Sequence, residues 1–137
     1  MQSQSRRLAG ILLIVLPTVM YGGVSILQFL ISDPTYMQNQ LRQDLFRAGH
    51  AHAGVLLILS LVTLRYVDET SLSATWKSVV RYTIPSSALL LPAGFFFSVL
   101  KPGATQPNGM IYLAFVGALI LAIGIVALGI GLIRKPN

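Results

Sequence analysis

Four long apolar runs separated by three polar stretches set the pattern of this chain. Residues 8–31 give 24 consecutive positions without a charge, enough to cross about 30 Å of hydrocarbon as a helix. Pro17 and Gly22-Gly23 inside it are places for a kink. Residues 32–47 are polar and open on Asp33-Pro34. Their apolar positions 37, 41, 45 and 46 recur at helical spacing, which predicts a short interfacial helix leading into a second span. That span covers about 48–67, with Arg65, Asp68 and Glu69 at its end. After a polar loop over 68–75, a third span runs over about 76–100, with Trp76 as an interface anchor. Its Pro85 and Pro92 lie seven residues apart, hence on nearly one face, and Ser86 and Ser87 are placed to satisfy carbonyls that the prolines leave free. A loop rich in turn formers, 101–109, leads to an uncharged fourth span over about 110–133, closed by Arg134-Lys135. The pattern predicts an all-α protein, a four-transmembrane-helix bundle forming one domain over 1–137.

Composition sharpens this reading. The chain is 54% hydrophobic, only 10% charged, and has a mean hydropathy of +0.71, against roughly 25% charged residues in soluble domains. Arg6-Arg7 ahead of an apolar run resembles a signal peptide, but the run exceeds a signal's apolar core and no small-x-small cleavage site follows. A retained first helix is therefore expected. The net charge of +6 comes from residues scattered at span ends, not grouped in a patch, which argues for the lipid bilayer as partner and against nucleic acid. Four spans put both termini on one side. That side carries Arg6, Arg7, Arg65, Lys77, Arg81, Arg134 and Lys135; the other carries Arg42, Arg47 and Lys101. The positive-inside rule then predicts cytoplasmic termini in a multi-pass protein of the cell's inner (plasma) membrane.

The absence of cysteine removes disulfides, thiolate-bound metals and cysteine nucleophiles. No span has an acid or base near its middle, which disfavours proton relays and ion-coupled carriers. There is no carboxylate pair, phosphate-binding glycine loop or nucleophile elbow either, which disfavours hydrolysis. Chemistry concentrates in Phe46-Arg-Ala-Gly-His-Ala-His-Ala-Gly54, which holds both histidines. On a helix, His50 and His52 are separated by about 200° and cannot chelate one metal. His50, nearer the expected helix start, fits a solvated or hydrogen-bonded role. His52, a turn further in, is expected at a buried site, as a metal ligand or bonded to a neighbouring helix. Gly49, Ala53 and Gly54 remove bulk around it, which admits either a flat macrocycle or a second helix. Gly117, Gly124 and Gly131 form a seam of close packing, within the subunit or between subunits. Phe95-Phe96-Phe97 offers an aromatic wall whose plainer reading is lipid or core contact.

Arg47, Ala51-His52-Ala53-Gly54, Gly94-Phe95-Phe96-Phe97 and the Pro107-Asn108-Gly109 loop before a glycine-spaced fourth span are together similar to the small four-helix membrane isomerases of the styrene oxide isomerase type, with hydroxylaminobenzene mutase as a more distant relative. The likeness covers most of the chain in layout and few residues in identity. It implies haem b bound near subunit contacts of a homo-oligomer, a trimer being favoured, with His52 as the metal ligand. Gly49, Ala53, Gly54 and Phe95 would line the cofactor, and a small apolar substrate would rearrange on a Lewis-acidic iron. The family's helper tyrosine falls on Phe96, its third-span acid on Ala88 and its second-span asparagine on Ile58. Phe96 thus occupies the catalytic position without a hydroxyl. The groups left to act are Tyr112, Tyr21, Gln28 and Ser98. The alternatives are a haem-binding protein without enzymatic activity and an accessory or structural membrane subunit.

Overall fold

The computed structural model describes residues 1–134, so Lys135 of the basic end lies outside the described residues. Every regular element among them is helical. α1 spans Ser3–Ser32, the single-turn α2 Pro34–Met37, α3 Gln40–Tyr66, α4 Ala74–Ser98 and α5 Tyr112–Ile133, with 3-10 turns at Val67–Glu69 and Gly109–Ile111. Four helices are long and apolar enough to cross a membrane.

Side-chain caps set several of the starts. Asp33 accepts the Tyr36 N–H at 3.1 Å, Asn39 the Arg42 N–H at 3.0 Å and Asn108 the Met110 N–H at 2.8 Å. The Asn39 cap changes one expectation. Instead of a separate interfacial helix over 37–46, the break falls at Gln38 and Asn39, and residues 40–46 are the opening turns of α3 itself. A local cap outweighs the drop in hydropathy there.

α4 is the central helix, packed on α3 along one flank and on α5 along the other, while α1 rests on α3. Three apolar clusters step along the bundle: Ile26, Tyr36, Phe46 and Val99 at one end; Leu56, Ala88, Leu91 and Ala114 in the middle; Val67, Val80, Ile84, Ala127 and Leu128 at the other. The α4–α5 contact is tight because side chains are missing from it. A Cβ on Gly117 would lie 2.8 Å from the Leu91 nitrogen, one on Gly94 would collide with the Ala114 backbone, and those on Gly124 and Gly131 would meet Thr83 and Leu72. The seven-residue glycine seam is thus packed inside the chain, a close backbone approach of the kind small residues permit in lipid.

The two ends are tied differently. At one end Arg81, buried two turns into α4, donates to Ser5 Oγ (2.9 Å), Gln4 Oε1 (2.9 Å), Gln2 Oε1 (3.0 Å) and Asp68 Oδ1 (2.9 Å). Asp68 also accepts from the Gln2 N–H at 2.6 Å and the Ser5 hydroxyl at 3.0 Å. Nearby, the Ser71 N–H donates to the Gly131 carbonyl at 3.3 Å. The start of α1 and the end of α5 therefore share this end, as an up-and-down bundle requires. At the other end Asn39 Nδ2 donates to Pro102 and Ala104 carbonyls (3.2 and 2.9 Å), and Asn108 Nδ2 to that of Phe97 (3.1 Å).

Both prolines of α4 are accommodated without ending the helix. They leave the Arg81 and Ala88 carbonyls without their usual donor. Ser87 does not replace it: its hydroxyl donates to Ile84 O at 2.6 Å.

Candidate functional site

The helix runs unbroken through the histidine segment, so His50 and His52 occupy opposite flanks of α3. Their environments are the reverse of those expected. His50 is half-buried against α1, where a Cβ on Gly23 would stand 2.9 Å from its Nε2; Gly22 and Gly23 make room for the ring. His52 is exposed. Because α3 begins at Gln40, both rings lie several turns inside it. Depth no longer separates them; the flank covered by α1 does.

His52 Nδ1 lies 2.7 Å from the carbonyl oxygen of Ala48, one turn back. A carbonyl only accepts, so Nδ1 carries the hydrogen of this bond, and in the neutral ring Nε2 keeps its lone pair. The ring packs at 5.2 Å and 46° on Phe95. His52 and Phe95 are thus brought together.

The other expected site residues lie elsewhere. Gly49 is buried, and a Cβ on it would come within 3.0 Å of the Phe96 ring, so the space it leaves is filled by Phe96. That ring also meets Phe46 edge-on at 5.4 Å. Phe96 belongs to the end cluster of the core. Gly54 faces Val19 of α1 at ordinary contact distance, and Ala53 lines a cavity between α1, α3 and α4. Tyr112 is 69% exposed on α5, its ring beside Phe115. No group of three or more His, Asp or Glu side chains among the described residues is placed to hold a metal ion.

Three features went unread in the sequence. One is the Arg81–Asp68 clasp; an opposite charge pair flanking a short polar loop was its signal. The second is the cavity of about 360 Å³ lined by Thr18, Ala53, Tyr82, Pro85, Ser86 and Pro92, among others, for which the shared face of the two prolines was a sign. The third is Arg42, which is only 6% exposed. Its guanidinium lies 5.5 Å over the Tyr36 ring and 5.2 Å over Phe46, and its Nε donates to Val99 O at 3.1 Å. Arg42 Nη1 and Tyr36 Oη are buried without a hydrogen-bond partner among the described residues. Burial pushes the Tyr36 hydroxyl above its ordinary 10.0, against the pull of the Arg47 and Arg42 charges, so it keeps its proton.

No protein-family model, curated protein or solved structure matches this chain.

Proposed function

We propose that this chain is a haem b-binding membrane protein in which His52 Nε2 would ligate the iron, on the exposed α3–α4 flank that a second copy of the chain would cover. One observation carries the reading: the Ala48 carbonyl engages Nδ1 and leaves Nε2 unshared on an apolar outer face. An imidazole whose second nitrogen is held by a backbone carbonyl is the usual form of a histidine metal ligand. Phe96 occupies the interior space beside Gly49, so a porphyrin held by His52 would lie on this outer flank. His52 would hold the iron, Phe95 would shield the imidazole from water, and exposed Ala51 and Val55 would add small and apolar surface on the same helix. When bound, ferric haem supplies a Lewis-acidic iron able to polarise an epoxide or hydroxylamine oxygen.

Binding without turnover is the reading favoured by Phe96. Its ring is committed to the core against Gly49 and Phe46 and bears no hydroxyl to steer a reacting oxygen. A trimer, cytoplasmic termini and an inner-membrane location complete the proposal; the seven-to-three division of Lys and Arg supports the orientation.

The visible spectrum of the purified protein tests it. A Soret band is expected for the wild type, lost in His52→Ala and kept in His50→Ala. A haem-free wild type, reconstituted with hemin and still lacking the band, would overturn the reading. Equal loss in the two folded variants would show that His52 is not the specific ligand.

A further inference from the structure

The cavity between α1, α3 and α4 lies off the His52 flank and has its own chemistry. Its floor is Ala53 and Leu57 of α3, its walls are α1 and the proline face of α4, and most of its lining is hydrocarbon. Three hydroxyls interrupt that lining. Thr18 donates to the Val15 carbonyl at 2.7 Å, whereas Tyr82 and Ser86 have no hydrogen-bond partner among the described residues. On the same face of α4, Pro92 has no N–H to offer the Ala88 carbonyl, and both residues line the cavity. In a bilayer no water is at hand for such groups, and leaving them unpaired is expensive.

We infer that this cavity binds a small neutral apolar molecule bearing one hydroxyl, drawn laterally from the lipid. The volume of about 360 Å³ is at the lower end for small-molecule sites and holds about a dozen water-sized heavy atoms at about 30 Å³ each. A hydroxyl both accepts and donates. It can take a hydrogen bond from Ser86 or Tyr82 and return its own hydrogen to a carbonyl that a proline has left free. A lipid acyl chain fills the same space but pairs with none of these groups, and a charged ligand finds no counter-charge among the lining residues. The site stands independently of haem at His52.

Photolabelling of the full chain in bilayer nanodiscs with the diazirine alcohol azioctanol, read by mass spectrometry, tests the inference. Labels are expected on cavity residues of α1, α3 and α4, with saturation by excess octanol and little competition by octane. Ser86→Ala should weaken octanol competition about threefold to tenfold, the effect of one neutral hydrogen bond. Ala53→Phe should abolish the saturable labels, and Leu13→Phe, on the exposed side of α1, should leave them unchanged. If Ala53→Phe does not fold, Leu89→Trp at the exposed lip serves the same purpose. Labels spread over the outer faces of α1 and α5, or cavity labels that octane displaces as well as octanol does, would overturn the proposal; the second outcome would assign the space to an acyl chain.

Discussion

At the scale of single residues, the question is which polar atoms are already engaged. The Ala48 carbonyl engages one nitrogen of His52 and frees the other, while nothing among the described residues engages the Tyr36 hydroxyl although the residue is fully buried. A buried hydroxyl without a partner stabilises nothing. Tyr36→Phe is therefore expected to be neutral, or to stabilise by up to about 1 kcal/mol, in thermal unfolding followed by circular dichroism in detergent. A loss of more than that would reveal a partner for the hydroxyl. Phe96 yields the opposite expectation. Its para carbon lies 3.1 Å from where a Gly49 Cβ would sit, so the added oxygen of Phe96→Tyr would press on α3 and not approach His52. The variant should lose about 1–3 kcal/mol of stability through overpacking and gain no epoxide turnover. The sequence made Phe96 look like a truncated catalytic tyrosine because chain position is visible there and side-chain direction is not.

Between elements, contacts are decided by what is missing from a helix face as much as by what is on it. A Cβ at Gly117 meets the Leu91 backbone, while one at Gly129 meets nothing within 4 Å. Gly117→Leu should cost at least about 1–3 kcal/mol, and Gly129→Leu should stay within about 0.5 kcal/mol of wild type, both read as unfolding midpoints in detergent. The seven-residue glycine spacing was legible; the helix it packs on was not, because spacing names a face and not its partner. The start of α3 was misread for a related reason. Arg42, Gln43, Asp44 and Arg47 lower the hydropathy of turns that are nevertheless helical, and Arg42 is buried by aromatic rings that the fold brings over it. The clasp at the far end was also out of reach, since its partners come from α1, the loop after α3, and α4. Arg81 and Asp68 side chains are 2% and 7% exposed. Arg81→Leu leaves a buried carboxylate and should cost about 3–5 kcal/mol, whereas Arg81→Leu with Asp68→Leu should recover much of that loss. A double variant destabilised by the sum of the two single losses would show that the pair is not coupled.

For the whole molecule, the four apolar runs were sufficient to give the helical bundle and its up-and-down order, because span length follows from bilayer thickness. The proposed orientation adds a test. A reporter fused after Asn137 should be active only if it works in the cytoplasm, and one inserted near Gly103 only if it works outside; the reverse pattern would place the histidines in the inner half. The clasp also has a consequence for biosynthesis. Arg81 Nη2 bonds Gln2 Oε1 across 79 residues of sequence, and at about 5–20 residues per second a ribosome needs roughly 4–16 s to supply that length. For that interval α1 lacks the contact that fastens its end, and no residue of its most apolar stretch is buried even in the finished fold. The helix whose most apolar stretch stays uncovered by the rest of the chain is thus fastened at its end only once α4 has been made.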